Sequence, residues 1–332
     1  MTTPRALRWR RADSWRARLP VVWPRLRRVA SLAFFVLVAA LLVHHARAIE
    51  WPAVGTALRD MPPWRLAAAA GIAAASHLLY SCFDLLGRHV SGHRLPVGRT
   101  MAINFVSYAF NLNFGSLVGG VAMRFRLYHR QGLDNTTITE VVSLSMLTNW
   151  LGYMALAGVL FAWQPLALPP DWNIDSTGLR LLGLVLLGLA AAWIGGCAVL
   201  GQRRLTLRGR VLRMPGLRLA LLQMAMSCTN WALIGSAVYL LLHGGPELEF
   251  PAVLSVLLVA AVAGVLAHVP AGLGVLEAVF VALLGHRMPQ PELLASLLCY
   301  RVVYYLLPLA AAVALYFGLE ARSAATAAAR RN

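Results

Sequence analysis

Glu277 and Arg301 each stand inside an apolar block, Glu277 between Leu276 and Ala278, Arg301 between Tyr300 and Val302. An ionised group among aliphatic side chains is expensive, so each calls for a partner of opposite sign. Arg301 is the candidate partner of Glu277 from the same part of the chain, and Arg124 or Arg126 the candidates from further away. Such a pair either pins helices together or offers a phosphate its guanidinium and a cation its carboxylate. Arg124 and Arg126 directly follow a stretch interrupted by Asn111, Asn113, Gly115, Gly119 and Gly120. Arginine's planar fork suits two oxygens of a phosphate, and broken helix ends add amide donors. Ordinary anchoring at cytoplasmic headgroups accounts for the same arginines equally well. His268 precedes a second interruption, Pro270, Gly272 and Gly274, where it either relays a proton or bonds to loose backbone. His77, Asp84, Asn149, Trp150 and Asn230 are polar residues in apolar surroundings, for which hydrogen bonds between helices suffice. Glu140, near a helix end, needs no special role.

Motifs of covalent chemistry are missing. There is no paired-histidine metal spacing, no phosphate-cradling loop with its lysine, no serine at an elbow and no cysteine-based site. Neither catalysis, nor a metal, nor a cofactor is expected. Cys82, Cys197, Cys228 and Cys299 all fall within apolar blocks, where thiols act as small packing groups.

The elements that must hold these residues are membrane helices. The chain has 332 residues, of which 59% are hydrophobic and 13% charged. Soluble domains carry about 25% charged residues. The apolar residues form blocks at 29–43, 64–86, 138–163, 177–200, 217–242, 251–284 and 293–317. Most of these approach or exceed the roughly 20 residues that a bilayer-crossing helix needs. The net charge of +17 comes from arginine alone, since lysine is absent. These arginines lie in short segments between blocks, which excludes a nucleic-acid-binding domain and fits the bias of cytoplasmic loops.

Residues 1–28 carry nine arginines against Asp13 and are expected to remain in the cytoplasm beside anionic headgroups. Residues 44–63 are nearly charge-balanced, as an outer loop is, and residues 88–99 return a basic loop. Counting then fails at 100–123. A full crossing there would place Arg124, Arg126 and Arg130 outside. The stretch is therefore expected to enter from the cytoplasm and go back, as irregular backbone does only where protein or a wet cavity surrounds it. Residues 164–176 have two acids and no arginine and read as outer, while 201–218 have six arginines and no acid and read as inner. The broken block 251–284 is a second hairpin or a pair of crossings. Both leave residues 319–332 in the cytoplasm.

The expected architecture is thus an all-α polytopic membrane domain over 29–318. Its halves, about 29–163 and 177–318, each run helix, helix, broken segment, helix. The halves start on opposite sides, which makes an inverted-topology repeat of the kind found in transporters.

The run from His268 to Glu277, His-Val-Pro-Ala-Gly-Leu-Gly-Val-Leu-Glu, is followed by Tyr300-Arg301 and by Tyr304-Tyr305 before Pro308. Together these resemble the membrane region of bacterial lysylphosphatidylglycerol synthases, the flippase-like part of the multiple peptide resistance factor. Asn113-Phe-Gly, Gly119-Gly120 and the run from Arg124 to Tyr128 are similar to an earlier motif of that family. The likeness covers 64–317. Where that family often has glutamate, Val121 stands here, as in its stand-alone inner-membrane subgroup. The aminoacyl-transfer domain of the synthases has no counterpart in this sequence. The resemblance implies phospholipid translocation in a bacterial inner membrane rather than synthesis. Headgroups would meet Arg124, Arg126 and Arg301, with Glu277 balancing charge and Asn113 and His268 nearby. Membrane phospholipids are the expected partners, with a separate lipid-modifying enzyme docking at 201–218 as a further candidate. An intramembrane enzyme of lipid or lipid-linked sugar metabolism is the competing class.

The hairpins make a prediction about sidedness. Arg130→Cys should react with a membrane-impermeant thiol reagent from the cytoplasmic side only, and His286→Cys from the outer side only. Outside labelling of Arg130→Cys would remove the first hairpin.

Overall fold

The computed structural model describes residues 51–163, 166, 168, 175–201, 204–207, 210–213, 215–242, 248–267 and 272–329. The expected basic segment at 1–28, the block at 29–43, and His268 and Pro270 lie outside the described residues. What is described belongs to one unit, Trp51–Asn332.

α1 (Trp51–Asp60) is a short helix where the balanced loop was expected, tied to the last part of the chain by the Cys299 thiol on the Ala57 carbonyl at 3.3 Å. α2 (Pro63–Ser81) starts at a proline, whose missing N–H costs nothing in the first turn. It passes through Cys82 into α3 (Phe83–Ser91), which ends on Gly92 at φ 72°. This left-handed residue is what glycine supplies without strain. The basic loop of 88–99 shrinks accordingly, because α4 (Val97–Phe114) begins at once.

At Gly115, with φ 84° and ψ 168°, the chain turns into a π-helical segment, Ser116–Ala122, and then α5 (Met123–Arg130). Gly119 lies so close to the backbone of Phe110 and Asn111 that a Cβ would overlap both. The chain has therefore folded back against α4. Gly120 faces the Asn111 side chain, where a Cβ would come within 2.9 Å of its oxygen. After Gly132, Asp134 caps the next helix, accepting the Thr136 N–H at 3.0 Å and the Thr137 hydroxyl at 2.6 Å. Those bonds hold the Asp134 carboxyl below its ordinary range, the Thr137 hydroxyl contributing most.

α6 (Asn135–Trp163) is about 43 Å long at 1.5 Å per residue, more than a hydrocarbon core requires. α7 (Ser176–Leu200) packs on it through facing glycines: a Cβ on Gly158 meets Leu187, and one on Gly183 meets Ala162 and the Gly158 carbonyl. Leu181, Leu184, Val185 and Leu189 of α7 are exposed, as apolar residues turned to lipid must be. Strands β1 (Arg204–Leu207) and β2 (Arg210–Arg213) pair antiparallel with Leu205 opposite Leu212. This short hairpin lies within the basic loop of 201–218.

α8 (Leu217–Leu241) lies against α6 at Gly152, where a Cβ would collide with the Ser227 side chain. Small residues let helix backbones approach closely where no hydrophobic effect separates helix from lipid. α9 (Phe250–Ala267) is followed by a turn with Gly272 and Gly274 at φ 55° and 78°, then α10 (Val275–Leu284). A Cβ on Gly264 would lie 3.9 Å from Gly272 Cα, so this segment also folds back. At about 15 Å, α10 is too short to cross by itself. α11 (Gln290–Arg301) passes through a second π-helical turn, Val302–Leu306, into α12 (Leu307–Ala329), which runs well beyond the expected end of the membrane block at 318. Among the described residues, 6 helical stretches are long and apolar enough to span a membrane: Pro63–Ser91, Asn135–Trp163, Ser176–Leu200, Leu217–Leu241, Phe250–Ala267 and Gln290–Leu319. The fold is that of a polytopic helical membrane protein with two broken segments.

Gly119→Ala drives a methyl into the backbone of α4 and should cost about 1–3 kcal/mol, the usual penalty of overpacking. Gly71→Ala, with nothing within 4 Å of its added Cβ, should cost nothing. Unfolding in detergent micelles checks both. Equal stabilities would show that the hairpin is not packed this way.

Candidate functional site

The second broken segment builds its site on a helix start. Glu277 lies in the first turn of α10, where its Oε2 accepts the Gly274 N–H at 3.0 Å. An acid there satisfies an orphan amide and meets the positive end of the helix. The same carboxylate takes two bonds from Arg301, from Nε to Oε1 and from Nη2 to Oε2, the latter at 2.9 Å. Nη2 also reaches the Gly272 carbonyl at 3.0 Å, so Arg301 closes the turn that Gly272 and Gly274 make. The guanidinium lies 5.5 Å from the Tyr305 ring centroid. The expectation that Arg301 partners Glu277 is met. The pair is not sealed: the Arg301 side chain is 11% exposed and that of Glu277 19%.

Asn113, from the first broken segment, comes to the same place. It is buried and donates from Nδ2 to the Ala109 carbonyl at 2.8 Å and the Tyr305 carbonyl at 3.3 Å. Its Oδ1 is buried without a hydrogen-bond partner. The first break therefore touches the π-helical turn that follows Arg301.

Arg124 is elsewhere. It is buried at 2% exposure, with its Nε 3.5 Å from Asp84 Oδ2. Its Nη2 bonds to Asn104 Oδ1 and to the Ser145 hydroxyl at 3.3 Å. The Tyr128 hydroxyl donates to Asp84 Oδ2 at 2.8 Å, and Asn104 Nδ2 reaches the Tyr80 carbonyl at 2.8 Å. This network joins α2, α3, α4, α5 and α6. Arg126 is half-buried on the same helix, and two residues of helix separate it from Arg124 by about 200°. The two arginines do not converge on one ligand here. Gly115, Gly119 and Gly120 make the turn and close contact already described, and Gly272 and Gly274 the turn under Arg301.

Asp84 and Tyr128 are the residues that sequence reasoning passed over as partners of Arg124. A lone carboxylate in an apolar block was the available signal. Asn230 and Ser76 do bond between helices, at 2.8 Å. Among the described residues no group of three or more His, Cys, Asp or Glu side chains is placed to hold a metal ion.

Spanning helices, two folded-back segments and an ion pair at each, one enclosed and one partly exposed, define a polytopic membrane protein whose charged chemistry sits at its breaks. The chain belongs to the family described as lysylphosphatidylglycerol synthase TM region, which matches residues 28–312. It is 43% identical over 302 residues to inner membrane protein YbhN of Escherichia coli, covering 91% of this chain and 94% of that one. An uncharacterised Synechocystis protein is 28% identical over 297 residues, 87% of this chain and 91% of its own. Phosphatidylglycerol lysyltransferase of Staphylococcus haemolyticus is 24% identical over 308 residues, which make up 90% of this chain but 35% of that protein. With its apolar helices, the chain is a multi-pass inner-membrane protein.

Asp84→Asn strips Arg124 of its counter-charge and should destabilise the protein by about 3–5 kcal/mol, the cost of breaking a buried pair. The double change Asp84→Leu with Arg124→Met should recover part of that loss. Unfolding curves in micelles give the cycle. A single Asp84→Asn change without effect would remove the pair from the account of the fold.

Proposed function

We propose that this protein moves phospholipid between the leaflets of the inner membrane and makes no covalent change to it. The observation that carries the reading is the Glu277–Arg301 pair, bidentate yet partly exposed at a helix break. An arriving phosphate competes with Glu277 for the guanidinium, and the released carboxylate is then available to a cationic headgroup. Arginine's two parallel donors suit either oxygen pair. Asn113, with an unpartnered buried acceptor beside Tyr305, adds a contact for the headgroup, and Arg126 is a further candidate. Arg124, enclosed with Asp84, fixes the first hairpin rather than meeting the lipid directly. The two folded-back segments each enter and leave by one side, both chain ends are cytoplasmic, and the halves alternate around the breaks.

Lipid is the favoured cargo because the Staphylococcus relative is named for lysyl transfer to phosphatidylglycerol. This chain matches only part of that protein, so a separate lipid-modifying enzyme is the natural supplier of cargo, with the arginine-rich hairpin around 204–213 as its docking point.

Proteoliposomes with fluorescent phospholipid and an external quencher test the reading. Wild type should exchange lipid between leaflets. Arg301→Ala and Glu277→Gln should slow exchange about tenfold or more, the effect of losing about 1.5–3 kcal/mol of charge-assisted hydrogen bonding. Equal rates for all three proteins would falsify the mechanism.

A further inference from the structure

A chain of hydrogen bonds with a fixed direction crosses the centre of the described unit. Ser76 has one hydroxyl proton and gives it to Asn230 Oδ1 at 2.8 Å. Its 2.7 Å contact with the Tyr304 hydroxyl therefore has the phenol as donor. With that proton committed, the 3.1 Å contact between Tyr108 and Tyr304 runs from Tyr108 to Tyr304. Four groups from α4, the second π-helical turn, α2 and α8 are threaded in one sense.

His77 lies over this chain. Its ring centroid is 4.7 Å from that of Tyr304, 5.1 Å from Tyr108 and 6.0 Å from Phe105. Nδ1 is 2.9 Å from the Ala73 carbonyl, which can only accept, so Nδ1 carries the proton and Nε2 the lone pair. Nε2 is buried without a partner, in a residue 2% exposed. A buried acceptor left unmade is costly, and such groups call for an explanation in a ligand, an ion or chemistry.

We propose that His77 Nε2 is a proton-binding site, and that the proton it takes is the ion coupled to movement of the two halves. The step breaks no covalent bond. A proton from water adds to the Nε2 lone pair and later returns to water on the other side. Once bound, it makes a second N–H donor, for which the present arrangement supplies no acceptor. Water or an anion entering as the halves part does supply one, so protonation favours the parted arrangement. Tyr304 stands three residues after Arg301, so a rearranged chain also shifts the Glu277–Arg301 pair. The proton site stands on its own geometry; its coupling to transport rests on the translocation reading.

The groups facing His77 are Tyr108 from α4 and Tyr304 from the π-helical turn, while α8 contributes Asn230, which does not titrate, through Ser76. On α2 itself Tyr80 stacks on Tyr108 at 3.6 Å, and Asp84 on α3 is held by Arg124 and Tyr128.

The full chain in lipid nanodiscs, labelled with 15N at histidine, reads the site directly, with His77→Gln identifying its signal. On acidification the His77 signal should pass from the singly to the doubly protonated form. Tyr304→Phe, which removes the donor to Ser76 but keeps a ring over His77, is the second protein in which that signal is followed. In vesicles of phosphatidylethanolamine and phosphatidylglycerol, an imposed pH gradient should speed leaflet exchange by wild type and have no such effect on His77→Gln. A His77 signal that stays singly protonated in both wild type and Tyr304→Phe overturns the site. Titration together with gradient-insensitive exchange overturns the coupling and leaves translocation standing. No exchange under any condition overturns translocation, while the histidine signal still decides the proton site.

Discussion

A guanidinium withdrawn from water keeps its charge, so the protein around it must supply a carboxylate, enough hydrogen bonds, or both. Each broken segment of this chain meets that demand once. Arg124 with Asp84 does so in a sealed network of side chains, and Arg301 with Glu277 does so at a helix start with part of the pair still reachable. The irregular backbone depends on these pairs. Arg301 bonds the Gly272 carbonyl and Glu277 bonds the Gly274 amide, so the ions satisfy the backbone groups that the turn itself strands. Without such partners, non-helical chain at this depth would leave polar groups unpaired, each at a cost of several kcal/mol.

The difference between the pairs is one of enclosure. Asp84 and Arg124 are surrounded by Asn104, Tyr128 and Ser145, and connect five helices. That arrangement fixes positions. Glu277 and Arg301 bond the backbone of Gly274 and Gly272, Arg301 lies over the Tyr305 ring, and both side chains stay partly exposed. One charge pair is thus sealed and the other partly open. The directional chain through Tyr108, Tyr304, Ser76 and Asn230 joins α4, the second π-helical turn, α2 and α8.

Much of this was legible in the sequence, for reasons that differ residue by residue. The long helices were legible from the lengths of their apolar blocks, while Gly92 and Asp134, which close and open helices within a single turn, carry no hydropathy signal. Glu277 and Arg301 were recognisable because each is alone in an apolar block, and they stand only 24 positions apart across a short helical hairpin. The partner of Arg124 was not legible. Asp84 lies on another helix, and no spacing rule connects residues brought together by helix packing. The same applies to Asn113 meeting Tyr305, 192 residues away. The π-helical turns leave no mark in composition, and the continuation of α12 to Ala329 reflects helix propensity in an alanine-rich tail rather than hydropathy.

A π-helical turn holds one residue more than the α-helix on either side of it can use. The turn at Val302–Leu306 thus stores a single residue of slack in the middle of a long span. If the slack is taken up, α12 advances about 1.5 Å and rotates about 100° relative to α11, with the hydrogen bonds of both helices intact. Arg301 ends the fixed side of that joint, and Tyr304 and Tyr305 lie within it. Any such shift would carry Tyr304 and Tyr305 past an arginine that stays with α11.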